Sequence, residues 1–265
     1  MNLRQFVKLQ LLLIFLNLTS IVRQVSSKAD NNIEDFENFD NEIDVNDQSA
    51  EAKTRNAMSS PFTRWPNRTI VYKISQNYTN EERQTVRKAL DFFNKNTCLN
   101  LREYSPSRDG SRRYLHFTRS DQYCGTRVGY NPLTPFGPHD LTLTPKCLQM
   151  SGIIQHETMH AIGLFHEQSR TDRDEYVEIN YDNIPRKFWP QFMKSSNAIT
   201  STYNISYDYN SMMHYSQFAF AIDPNVPTIL ARDGEKLINR TMGQIIEPSV
   251  ADLTKIRIMY NCPKD

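Results

Sequence analysis

The spacing of apolar positions changes period several times along the chain, and each change marks an element. Thr69-Ile70-Val71-Tyr72-Lys73-Ile74 alternates like a half-buried strand, whose successive side chains face opposite ways. Thr79-Asn80-Glu81-Glu82 has the form of a capping box: a threonine hydroxyl and a glutamate carboxylate each take a backbone N–H that the first helical turn leaves free. Val86, Leu90 and Phe93 follow at helical spacing, so a helix with one buried face is expected to about Lys95. Tyr114 to Thr118 reads as a strand, and so does Asp140 to Thr144, which Pro145 stops. A helix is expected from near Ser151. A last one, capped by Ser249, sets Leu253, Ile256 and Met259 on its inner side. Between these two helices the pattern is irregular, and no repeat interrupts the body. Strand, helix, strands, helix and then an irregular half is an α+β order.

The first 55 residues stand apart. Arg4 and Lys8 precede a short apolar run centred on Leu11 to Leu16, the pattern of a secretory signal over residues 1–27, with cleavage after Ser27 or Ser20. That run is shorter than the roughly 20 residues a bilayer span needs, so a secreted, extracellular protein with no membrane partner is expected. Residues 28–55 read as a disordered acidic linker by composition: positions 30 to 51 hold nine acids and no Lys or Arg. It ends in Lys53-Thr54-Arg55, a basic site suited to a trypsin-like protease. Residues 56–265 are then the folded domain. The formal net charge of +1 gives no sign of a nucleic-acid partner. Four cysteines in a secreted chain point to two disulfides, with three connectivities open. Sequons at Asn67, Asn77, Asn204 and Asn239 are glycosylation candidates.

The chemistry concentrates in His156-Glu157-Thr158-Met159-His160-Ala161-Ile162-Gly163-Leu164-Phe165-His166-Glu167. Histidines four apart lie one above the other on a helix face, so His156 and His160 can reach one zinc ion. Gly163 permits a turn with φ > 0 that swings His166 back as a third ligand. Three protein ligands leave a position for water, the arrangement of a catalytic zinc. Glu157 stands where a carboxylate can take that water's proton.

Ser211-Met212-Met213-His214-Tyr215 follows some fifty residues later and supplies the Met-turn that such a motif requires. With it, and with Gln168 to Asn180 after the third histidine, the chain resembles the astacin family of zinc metallopeptidases from about Arg55 to Cys262. The resemblance implies a metzincin fold of two subdomains flanking an active-site cleft. A twisted mixed sheet and two long helices lie above the cleft, with an irregular lower subdomain and C-terminal helix below. It implies disulfides Cys98–Cys262 and Cys124–Cys147, one Zn²⁺ per chain on His156, His160 and His166, and Glu157 as general base. It makes Tyr215 a candidate fifth ligand that supports the transition state, Met213 a residue packed beneath the metal, and Glu167 the partner of a new N-terminus at Asn56. The resemblance also makes residues 28–55 an acidic propeptide, released by an activating trypsin-like protease near Arg55; the family's prosegment motif, Phe-x-Gly-Asp, blocks the zinc through its aspartate. Here the nearest fit is Phe39-Asp40-Asn41-Glu42, with Glu42 as candidate zymogen ligand.

The expected function is therefore a secreted zinc endopeptidase, made as a zymogen, that hydrolyses protein or peptide substrates by metal-activated water attack. The alternative is a catalytically silent secreted binding protein on the same scaffold, which would call for a damaged ligand set or base. Residues 140 to 144 are the expected sheet edge along the cleft, where an extended substrate could add as a strand.

Overall fold

In the computed structural model, residues 57–195, 200–233 and 242–263 are described. The expected signal, the expected acidic prosegment with Phe39 to Glu42, Arg55 and Asn56, and the sequon at Asn239 all lie outside them. β1 (Thr69–Ile74) leads into α1 (Asn80–Asn96), and both halves of the Thr79–Glu82 capping box are present. α1 returns the chain to β2 (Asn100–Glu103), which pairs in parallel with β1. β3 (Tyr114–Arg119), β4 (Gly125–Thr126) and β5 (Pro138–Leu143) complete a sheet of order β2-β1-β3-β5-β4. Only β4 runs antiparallel.

This order corrects one expectation. Residues 140 to 144 were the expected edge, but β5 lies inside the sheet: Thr142 and Leu141 pair outward with Gly125 and Thr126. On that side of the sheet the edge is the two-residue β4. Its Gly-Thr pair is too short for an alternating pattern to announce it.

α1 turns Val86, Ala89, Leu90 and Phe93 onto the sheet, the face set by its apolar spacing. α2 (Ser151–Ile162) is buried from Gly152 to Ile162, so its polar residues, His156, Glu157 and His160 among them, are interior. Its start packs so tightly that a Cβ on Gly152 would lie 1.7 Å from the Ile245 carbonyl oxygen. After Gly163, among the described residues, regular structure thins to short 3-10 turns and one antiparallel pair, β6 (Val177–Ile179) with β7 (Ile229–Ala231). A second core forms there around Val177, Phe192, Tyr209, Tyr215, Phe220 and Ile229. α3 (Val250–Met259) closes the chain behind its own capping box, Ser249 with Asp252, and buries Ile256 and Met259 in the first core. The disulfides pair as the resemblance implied: Cys98–Cys262 fastens the end of α3 to the loop after α1, and Cys124–Cys147 ties β4 to the turn before α2.

Candidate metal centre and active site

Gly163 ends α2 at φ 125°, a conformation that side chains disfavour, and its N–H caps the helix on the Met159 and His160 carbonyls. The chain then doubles back. As a result one ligand atom from each of His156, His160 and His166 falls within 4.8 Å of the others, and all three residues are buried or nearly so.

The ring nitrogens show what this cluster suits. His156 Nδ1 lies 2.9 Å from the Met212 carbonyl, and His160 Nδ1 lies 2.8 Å from the Leu164 carbonyl. A carbonyl only accepts, so both Nδ1 atoms carry the proton and both Nε2 atoms present lone pairs. His160 Nε2 faces His166 Nε2 at 3.2 Å. Converging imidazole lone pairs, two of them oriented by a backbone carbonyl behind the ring, are the donor set of a zinc site and fit a metal cation well.

The floor is built by Ser211 to Tyr215. Asp252, at the start of α3, accepts from the Ser211 hydroxyl (2.6 Å) and the Met212 N–H (2.9 Å), while Met213 N–H turns onto Ser211 Oγ. The Met212 carbonyl thus held is the one that orients His156. Met213 is fully buried in the first core, and its carbonyl accepts from Glu167 N–H (2.7 Å). Tyr215 has its backbone fixed at both ends: its N–H donates to Gln168 Oε1 (3.1 Å), and its carbonyl accepts from His214 Nδ1 (2.6 Å). His214 Nε2 then accepts from the Tyr207 hydroxyl (2.7 Å). Burial holds His214 neutral, lowering its pKa to about 4 against the backbone hydrogen bond that favours the cation. The Tyr215 ring lies 4.4 Å from that of His166, centroid to centroid.

Glu167 sits at the centre of a charged cluster with no access to solvent. Lys255 of α3 binds one carboxylate oxygen, and Arg170 Nη1 (3.0 Å) and Asp208 N–H (3.0 Å) bind the other. Burial alone would raise its pKa, but Lys255 and then Arg170 outweigh that and hold the carboxyl at about 2. The resemblance gave Glu167 the ammonium of Asn56 as partner. Asn56 lies outside the described residues, and among the described ones Lys255 and Arg170 are the cations on this carboxylate. Nearby, the buried Ala57 pairs with Leu164, and Met58 N–H donates to the Gly163 carbonyl (2.9 Å), so the first described residues lie along the loop carrying the third histidine.

Asp252, Lys255, Gln168 and His214 were not singled out from the sequence for these parts. Asp252 was legible in part, as the third helical residue after Ser249, where a capping box places a carboxylate.

The family model for Astacin, a family of peptidases, matches residues 57–261. The chain belongs to the astacin family. It carries a zinc metalloendopeptidase domain of that family. It is 38% identical over 209 residues to zinc metalloproteinase nas-13 of Caenorhabditis elegans, covering 79% of this chain and 43% of that protein. It is 32% identical to meprin A subunit alpha of Rattus norvegicus, covering 80% of this chain and 27% of that one. The chain therefore spans less than half the length of either relative. Among solved structures, high choriolytic enzyme 1, a hatching enzyme zinc-protease of the medaka Oryzias latipes, matches with a TM-score of 0.68 at 31% identity, covering 79% of this chain and all of that one. Among the described residues no helix is long and apolar enough to cross a membrane.

Proposed function

We propose that this astacin-family protein is a secreted endopeptidase, made as a zymogen, that hydrolyses internal peptide bonds of proteins or peptides. The observation that carries the reading is the convergence of three imidazoles beside the buried carboxylate of Glu157. His156, His160 and His166 hold one zinc ion per chain. Bound zinc supplies Lewis acidity, which makes a water nucleophilic near neutral pH and polarises the scissile carbonyl.

Glu157 takes the proton of the attacking water and returns it to the leaving amine. Tyr215 turns its hydroxyl toward the oxyanion that develops on the substrate. Because Gln168 and His214 hold its backbone, that movement is confined to the side chain. Met213 supports the site from below, and Glu167 fixes the loop after His166. An extended substrate lies along β4 and adds to the sheet edge as a further strand. The silent-scaffold alternative loses ground because base, ligands and Tyr215 are all present.

Silencing and release belong to the segment before Asn56. Glu42 blocks the site in the uncleaved form, a trypsin-like protease cuts after Arg55, and Asn56 becomes the terminus that joins the cluster around Glu167. Asn67, Asn77 and Asn204, all exposed, accept glycans, as does Asn239. The chain is secreted into medium and treated with trypsin, and its N-terminus and activity are measured together. Peptide cleavage is expected to appear as a start at or near Asn56 appears, and Glu42→Ala should give the uncut form measurable activity. Full activity in the uncut wild type would remove the zymogen reading.

A further inference from the structure

The edge strand β4 is only two residues long, and beyond Thr126 the chain leaves the ladder with β5. The segment is next tied down at Gly129, whose N–H donates to the carbonyl of His160 (2.9 Å). Between these anchors stands Arg127, with an exposed side chain. Its carbonyl lies 3.0 Å from Nε2 of His139, a residue of β5 that is only 3% exposed. The same Nε2 lies 3.1 Å from Thr126 Oγ1.

The proton positions follow from the partners. The Arg127 carbonyl only accepts, so Nε2 carries the hydrogen. The Thr126 hydroxyl donates to the Asp140 carbonyl (2.8 Å), so it too accepts from that N–H. One imidazole N–H thus holds a side chain and a backbone carbonyl of consecutive rim residues. Burial, with Arg113 adding to it, keeps this ring neutral by lowering its pKa to about 4. The ring rests 5.7 Å from that of Trp65, whose indole N–H donates to the Ala161 carbonyl in the last turn of the metal-bearing helix (2.8 Å). The rim is therefore referenced through His139 to the helix that carries His156 and His160.

We propose that His139 is a positioning residue for substrate: by holding Thr126 and Arg127 it sets the line of the sheet edge on which an extended peptide pairs. The inference rests on the strand-pairing reading above. Neither His139 nor the rim touches the reacting atoms, so its effect belongs to the binding of long substrates and not to bond cleavage.

The test is a series of fluorogenic peptides lengthened residue by residue on either side of the cleaved bond, assayed with the activated protein and two variants. His139→Phe keeps a ring against Trp65 and loses the N–H. His139→Gln carries an amide N–H in place of the imidazole Nε2–H. For the longer peptides His139→Phe is expected to raise KM about tenfold, the scale of one displaced hydrogen bond, with kcat within about twofold. The shortest cleaved peptide should be unaffected, and His139→Gln should stay within about threefold of wild type. If His139→Phe does not fold, the half-buried Thr126→Val removes the partner from the other side and should show the same dependence on length. A folded variant with unchanged KM on long peptides, or one that loses kcat equally on short and long, overturns the assignment. A wild type whose KM is indifferent to peptide length overturns the pairing itself, and the inference with it.

Discussion

Glu157→Gln is expected to lower kcat/KM on a protein substrate by about 10²–10⁴-fold, with zinc still bound at one ion per chain. The substitution keeps the size of a fully enclosed side chain on α2 and removes only its capacity to accept a proton. The three imidazoles are oriented by the carbonyls of Met212 and Leu164 and by the loop after Gly163, so the ligand set should survive. The loss should fall on kcat, with KM little changed, because a proton acceptor acts in the transition state and not in substrate binding. Tyr215→Phe should follow the same pattern at about 10²-fold, the usual cost of one oxyanion donor. Metal analysis and steady-state kinetics on the same preparations check both. An active Glu157→Gln variant would rule out Glu157 as the base.

Lys255→Met should destabilise the fold by about 3–5 kcal/mol in urea unfolding, far more than an ordinary surface change. Lys255 and Glu167 are almost wholly enclosed and come from segments 88 residues apart. Removing the ammonium leaves a carboxylate in a low-dielectric interior with Arg170, which Asp172 also engages. Asp252, one turn before Lys255 and raised in pKa by burial, loses a cation that favours its charged form as well. A second change, Glu167→Leu, removes the stranded charge and should recover part of the loss, a coupling that a double-mutant cycle measures.

The same cluster sets an acid limit. The Glu167 carboxyl is lowered in the fold from an ordinary 4.5 to about 2, so the unfolded chain binds its proton first. The stability it contributes is complete above about pH 4.5 and disappears as pH falls toward 2. Asp252, shifted the other way, opposes part of that loss. Acid unfolding that begins near neutrality, or a Lys255→Met variant as stable as wild type, would contradict this account.

Much of the site was legible in the sequence because its parts are local. A four-residue histidine spacing and a glycine stop fix geometry within one helix and one turn, and Ser211 to Tyr215 is itself a short contiguous motif. The helices were legible for similar reasons, since their caps and apolar faces are written within a few residues of each other. The rest depends on distant partners. α3 showed its apolar side through Leu253, Ile256 and Met259, yet its first turns also bury Asp252 and Lys255. A charged residue at such a position looks solvated until Ser211, Met212 and Glu167 are known to stand opposite. β4 and β2 were missed because two and four residues carry too little periodicity. The placement of Asp140 to Leu143 inside the sheet then followed from that missing neighbour. β6 and β7 pair across some fifty residues, a match that propensity alone does not encode.

The proposed function requires three histidines to hold a zinc ion on which internal peptide-bond cleavage depends. The direct measurement is a cleavage profile of a diverse peptide mixture by the activated protein, taken before chelation, after it, and after one equivalent of zinc is returned. Cuts at internal bonds that vanish with the metal and reappear with zinc are the expected result. Cleavage unchanged by metal removal, or none from a folded protein with zinc bound, would contradict it.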